Sequence, residues 1–326
     1  MHIPENYLSP QTCAVMAVAM APVWAISVKK VKEEFTAKKL PLIGVAAAFS
    51  FLGMMFNLPI PGGTTGHAVG GTLIAVLLGP YASCLAVSVA LILQAFIFGD
   101  GGILAIGANC FNMAFILPFT GYAIYTVMKK AISSEKGEYI SAGVGSYIGI
   151  NAAALAAAIE FGIQPLLFCD SQGNAMYCPY DITVSIPAMM VGHLTLFGIA
   201  EVIYTVLVFA FVKKTSPDMI LSDHSSTKTS LPVKILLAAL IILTPLGLLA
   251  EGTAWGEWGA DEIAATGAGY TPSGMVNGFN YEALIPDYAI GGMPDVLGYI
   301  LSAVIGTALL VIIFKLVSLP GVKHES

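Results

Sequence analysis

Ile182-Thr-Val-Ser-Ile-Pro-Ala-Met-Met-Val-Gly-His-Leu-Thr-Leu-Phe-Gly-Ile-Ala-Glu-Val-Ile-Tyr-Thr-Val-Leu-Val-Phe-Ala-Phe-Val212 carries a single charged side chain, Glu201. A bilayer is crossed by about 20 apolar residues in a helix, so this stretch is more than long enough. Leu40 to Ile60, Ile103 to Met128 and Leu297 to Val317 read the same way. Hydrophobic residues make up 57% of the 326 residues and charged residues 10%, against about 25% charged in soluble domains. Mean hydropathy is +0.82. A transmembrane barrel would show short alternating segments of about ten residues, and none is present. The fold class is therefore all-α: a polytopic integral membrane protein.

Charge placement sets the expected topology. The basic residues are all Lys and fall in four clusters: Lys29 to Lys39, Lys129 to Lys136, Lys213 to Lys234, and Lys315 with Lys323. If these lie in the cytoplasm, as the positive-inside rule asks, each interval between them holds an even number of crossings. Four are read between the first two clusters (41–60, 67–79, 81–98, 103–128), with Gly79-Pro80 and Gly99-Asp-Gly-Gly102 as turns. Two follow at 140–163 and 182–212, and two more at 235–250 and 295–316. With one at 11–28 the expected total is nine helices, N-terminus outside and C-terminus inside, in a multi-pass protein of the cell membrane.

The outer N-terminal tail begins Met1-His2-Ile3-Pro4. It is short and lacks a basic n-region, so a cleaved signal peptide is not expected and Met1 is expected in the mature chain. A free amine followed directly by His is a chelator. The Met1 amine, the His2 amide nitrogen once deprotonated, and His2 Nδ1 close two fused rings in one plane. Three coplanar nitrogens suit Ni²⁺, Cu²⁺ and Co²⁺ and suit tetrahedral Zn²⁺ or oxygen-seeking Mg²⁺ poorly. His67, at the end of the outer loop Pro59-Ile-Pro-Gly-Gly-Thr-Thr-Gly-His67, is placed to fill the fourth position. Glu5, Asp100, Asp170, Asp181, Glu257, Asp287 and other acids fall on the same outer face with no Lys opposing them. Such a surface concentrates cations.

Three stretches carry a family resemblance: Met1-His-Ile-Pro-Glu-Asn-Tyr-Leu-Ser-Pro-Gln-Thr-Cys-Ala14, Phe56-Asn-Leu-Pro-Ile-Pro-Gly-Gly-Thr-Thr-Gly-His-Ala-Val-Gly-Gly-Thr-Leu73, and Phe98-Gly-Asp-Gly-Gly-Ile-Leu-Ala-Ile-Gly-Ala-Asn-Cys-Phe-Asn-Met113. They resemble the CbiM/NikM substrate-binding components of energy-coupling factor (ECF) transporters for Co²⁺ and Ni²⁺. The resemblance implies a metal held by Met1, His2 and His67, with Ni²⁺ or Co²⁺ as the transported substrate for cobalamin synthesis or nickel enzymes. It implies an ECF transmembrane (T) component and ATP-binding subunits as partners. Residues 1–215 would form the seven-helix permease and 216–230 a cytoplasmic linker. Residues 231–326 look like a fused two-helix CbiN/NikN-type module with a long outer segment, whose Trp255, Trp258 and Tyr288 are expected at the membrane interface.

Other polar residues are less decided. Asn109, Asn112, Gln94 and Asn151 lie in apolar helices and either orient the His67 loop or tie helices together. Asn109 and Asn112, near the outer turn, are the better candidates for orienting the ligands, with Asp100 beside them. Glu160 and Glu201 are ionisable within or near the membrane and are left without a role. Cys169 and Cys178 share an outer loop and are able to pair, whereas Cys13, Cys84 and Cys110 read as small buried hydrophobes. Ala17 with Ala21, and Gly44 with Ala48, have the spacing that lets a helix approach closely. His193, His224 and His324 have no evident partner.

Two other function classes stand beside the transporter component. An intramembrane metalloenzyme would need a general base beside an open metal position, and the sequence has no His-Glu-x-x-His. A self-sufficient divalent cation permease would have to release the ion rapidly, which a closed four-nitrogen site opposes. No Gly-rich Lys-Ser/Thr phosphate loop is present, so ATP hydrolysis is assigned to partners. Membrane lipid is expected as a neighbour and nucleic acid is not.

Overall fold

The computed structural model describes residues 1–60, 64–220, 229–250 and 252–318. Pro61 to Gly63, most of the 216–230 linker, Glu251, His224, His324, Lys228 and Lys323 lie outside the described residues.

Eight helices are long and apolar enough to cross a membrane, counted among the described residues. They are α1 (Pro10–Glu34), α2 (Ala37–Met54), α4 (Pro80–Phe98), α5 (Ile106–Ala131), α6 (Glu135–Leu167), α7 (Ile182–Thr215), α8 (Leu231–Leu249) and α9 (Asp295–Val317). Local signals set their ends. Ser9 caps α1 through Thr12 N–H, Ser134 caps α6 through Gly137 N–H, and Asp181 caps α7 through Thr183 N–H. Gly79 at φ 89° and Gly99 at φ 69° make the turns at the two ends of α4.

The fold is polytopic and all-α, but two expected crossings differ in detail. The stretch 67–79 forms only an eight-residue helix, α3 (Gly71–Leu78), entered through the non-helical residues 67–70. At 1.5 Å per residue it spans about 12 Å, too short to cross, so among the described residues eight helices rather than nine are of crossing length. The stretch 41–60 leaves the helix after Met54 and ends in β1 (Leu58–Ile60), paired antiparallel with β2 (Thr64–Gly66). Pro59, which has no N–H, cannot continue a helix there.

Small residues let the helices close in. A Cβ on Gly145 of α6 would come 2.5 Å from Gly121 O of α5, and one on Gly149 would come 2.6 Å from Leu117 O. A Cβ on Gly44 of α2 would come 3.0 Å from Leu310 O of α9, and one on Gly107 of α5 would come 2.6 Å from the Ala17 backbone of α1. The helices that approach Gly44 and Ala17 therefore belong to this same chain. Helix α3 is buried along nearly its whole length among α4, α5, α6 and α7.

At one end Glu138 binds both Lys129 (2.5 Å) and Lys213 (2.6 Å), joining the second and third Lys clusters. Met1, Asp100 and Glu257 gather in a separate polar cluster built from the N-terminus, the turn after α4 and the outer segment. Cys169 and Cys178 are both free thiols rather than a bridge. Cys169 is exposed, and Cys178 is buried against Tyr180 O, its N–H donating to Tyr7 O at 3.0 Å. That main-chain bond ties the loop to the N-terminal tail without a disulfide.

Candidate metal centre

The N-terminal residues are folded into the protein by main-chain bonds. Asn109 accepts from Ile3 N–H at 2.7 Å and donates to Ile3 O at 3.1 Å, satisfying both polar groups of that residue. Gly102 N–H also donates to Ile3 O, at 2.8 Å. Glu5 accepts from Ile103 N–H at 2.7 Å. The approach is so close that a Cβ on Gly102 would lie 2.7 Å from Glu5 N. Burial pushes the Glu5 carboxyl above its ordinary value, the main-chain donors pulling the other way.

This packing delivers His2 to His67. His2 Nδ1 lies 3.2 Å from His67 Nε2 and 3.1 Å from Asp100 Oδ1, with the ring centroids 5.0 Å apart. Both imidazoles are buried, 2% and 8% exposed. Two facing ring nitrogens each present a lone pair unless a cation, a proton or a metal, sits at them. His2 Nε2 is buried without a hydrogen-bond partner. The Met1 amine is buried too, and its partner is Glu257 Oε1 at 2.5 Å.

The other Asp100 oxygen is fixed from behind. Tyr288 donates its hydroxyl to Asp100 Oδ2 at 2.6 Å, and Gln94 Nε2 donates to Asp100 Oδ2 (3.0 Å) and to the Tyr288 oxygen (2.8 Å). Tyr288 stacks on Phe98 with centroids 4.6 Å apart. Burial and the neighbouring Asp100 charge hold its hydroxyl well above the ordinary tyrosine value, so it stays a donor. Asp287 and Tyr288 both have positive φ, 53° and 60°, a conformation costly for non-glycine residues and found where surrounding structure enforces it. Tyr288 is thus a buried member of the site, not the interfacial anchor expected from its sequence. Trp255 and Trp258 are half-buried against Tyr180.

Of the sequence candidates, Met1, His2, His67, Asp100 and Asn109 come together. Asn112 does not: its amide donates to Glu160 at 2.9 Å, tying α5 to α6. Asn151 bonds its own helix at Tyr147 O. His193 is buried with Nδ1 2.8 Å from Met189 O. Glu257 and Tyr288 join the site from outside the sequence candidates for it, and Gln94, one of the amides offered for orienting the His67 loop, bonds Asp100 and Tyr288 instead. Their partners are 256, 188 and 6 residues away along the chain, so only the pairing of an amide in the last turn of α4 with the nearby Asp100 was visible locally.

A cleft of about 320 Å³ opens beside the imidazoles, lined by His2, His67, Asp100, Glu257 and Tyr288 among others. Among the described residues no group of three or more His, Cys, Asp and Glu side chains is arranged to hold a metal. The donor set expected here differs from such a group, because two of its four nitrogens belong to the main chain at residues 1 and 2.

Residues 2–219 match the family described as the cobalt uptake substrate-specific transmembrane region, CbiM, and residues 230–320 match the PDGLE domain. The chain is 50% identical to a probable fused nickel transport protein LarMN of Lactiplantibacillus plantarum, over 100% of this chain and 98% of that one. It is 45% identical to a fused nickel transport protein NikMN of Rhodobacter capsulatus, with 95% of each chain covered. A crystal structure of a truncated transition metal transporter superposes with a TM-score of 0.62 at 54% identity, covering 66% of this chain and 99% of that one. The chain belongs to the CbiM family and carries a PDGLE domain fused at its C-terminal end.

Proposed function

We propose that the chain captures Ni²⁺ or Co²⁺ from outside the cell through the Met1 amine, the His2 amide and Nδ1, and His67 Nε2, and passes the ion inward. It is a multi-pass membrane transport protein of the nickel and cobalt class, not an enzyme. The observation that carries the reading is the convergence of His2 Nδ1 and His67 Nε2 at 3.2 Å, both buried, beside an acidic cleft. Planar nitrogen donors favour Ni²⁺ and accept Co²⁺, whereas d¹⁰ Zn²⁺ gains nothing from a plane. Asp100 and Glu257 give the incoming cation a negative path, and the Met1 ammonium paired with Glu257 must shed a proton before it can donate to a metal.

The permease module is taken as residues 1–215 and the accessory module as 231–326, joined by 216–230. Energy is assigned to an ECF transmembrane component and its ATP-binding subunits, because this sequence contains no phosphate-binding loop of its own. Titration of Ni²⁺, Co²⁺ and Zn²⁺ into the purified chain by calorimetry tests the reading. Ni²⁺ and Co²⁺ should bind one per chain and displace Zn²⁺. Zn²⁺ binding as tight as Ni²⁺ would sink the planar site.

A further inference from the structure

We infer that Glu201 is a positioning residue for His67: its buried carboxylate grips the main chain two and three residues past the imidazole and fixes where Nε2 points. The inference rests on His67 being a metal ligand. Glu201 lies in the middle of α7, is fully buried, and is the only charged side chain between Ile182 and Val212. Its Oε2 accepts from Val69 N–H at 2.7 Å, and Gly70 N–H lies 3.0 and 3.1 Å from its two oxygens.

The need for that grip follows from backbone accounting. Residues 67–70 are non-helical within a bundle that otherwise offers the chain only helices, and main-chain groups without partners there are costly. Every polar main-chain group of Val69 and Gly70 is satisfied from elsewhere. Glu201 takes the two N–H groups, Ser50 Oγ of α2 donates to Val69 O at 2.7 Å, and Ile74 N–H donates to Gly70 O at 3.0 Å. Gly70 is left-handed at φ 72°, and a Cβ there would lie 2.8 Å from the Tyr204 ring, one turn along α7 from Glu201. Tyr204 is itself tied to Phe49 O at 2.6 Å. A simple helix start would put these N–H groups in the first turn of α3 and leave His67 on a helical face. The carboxylate instead holds the chain open, so that the imidazole turns toward His2.

An ionised or proton-sharing buried carboxyl in a membrane helix is expensive and by default functional. A role in holding a ligand's backbone is of the kind that typically changes metal affinity 10–100-fold when removed. The test uses the purified full-length chain with Ni²⁺ as the probe, comparing the parent with Glu201→Gln, Glu201→Leu and His67→Ala. Affinity is read by calorimetry, ligand field by the visible absorption of bound Ni²⁺, and folding by the melting temperature without metal. Glu201→Leu should bind about 100-fold more weakly, with its absorption moved toward that of His67→Ala. Glu201→Gln, which keeps one accepting oxygen and the side-chain shape, should lose about tenfold and lie between the two. Parent-like affinity and absorption in both Glu201 variants, or a lower melting temperature with unchanged absorption, would overturn the inference while leaving His67 a ligand. Parent-like binding by His67→Ala would instead remove His67 from the site and the inference with it.

Discussion

The two imidazoles of the site are held by different means. His67 sits on a buried segment bonded through its backbone to α2 and α7 by Ser50, Glu201 and the Tyr204 contact. His2 sits on a terminal tail held by Asn109, by the glycine turn after α4, and by two residues of the C-terminal module, Glu257 and Tyr288, the second acting through Asp100. Both imidazoles border the same cleft. The contrast makes the placement of His67 depend on the membrane-length helices, and that of His2 depend in part on the C-terminal module.

The largest expected effect comes from blocking the half that holds His2 at its terminal amine. Adding residues before Met1 turns the primary amine into an amide, removing both a donor and the Glu257 ion pair. Equilibrium metal content should fall from one ion per chain to near none, with membrane insertion unchanged. Equal content with and without the extension would take the amine out of the site.

A smaller effect should follow from loosening the hook at its support. Tyr288→Phe removes the 2.6 Å bond to Asp100 but keeps the stacking on Phe98. A buried hydrogen bond to a charged group contributes about 1.5–3 kcal/mol, and part of that should appear as a several-fold loss of Ni²⁺ affinity. The same change should leave the absorption of bound Ni²⁺ at its parent position, because no donor atom is lost. A parent-like affinity would mean that the C-terminal module contributes nothing to the hook through this contact.

The smallest effect concerns topology and touches neither half. Burial pushes the Cys178 thiol up to about 12, whereas Cys169 is exposed. Thiolate is the reactive form, so at pH 8 a thiol reagent should modify Cys169 and spare Cys178. A membrane-impermeant maleimide added to intact cells should label Cys169, and Cys169→Ser should abolish that label. Labelling only after the membrane is opened would invert the orientation drawn from the Lys clusters.

These contrasts also mark how far the sequence could be read. Apolar runs of full crossing length, such as 182–212 and 297–317, are legible because lipid leaves the chain few alternatives. Gly99 to Gly102 and Gly79-Pro80 are legible as turns for local steric reasons. The break at 67–70 is not, since Ala68-Val69-Gly70-Gly71-Thr72-Leu73-Ile74 looks like the start of any membrane helix. What opens it is a carboxylate 132 residues further along the chain. At the candidate site the proposed hook can be read from sequence because its donors lie on adjacent residues, and what the structure adds is the approach of His2 to His67. Asn109 and Asn112 differ by three positions on one helix, yet the first turns to Ile3 and the second to Glu160. The π-type turn at Phe111–Ile116 interrupts the regular spacing between those neighbourhoods. Glu257 and Tyr288 lie on a long segment with only single-turn helices, where position along the chain gives no clue to position in space.

X-ray absorption at the nickel edge of the Ni²⁺-loaded full-length chain reads the proposed donors themselves. The expected spectrum is that of a planar shell of four nitrogens with the outer scattering of two imidazoles, losing one imidazole in His67→Ala. A six-coordinate shell rich in oxygen, or one imidazole in the parent, would contradict it.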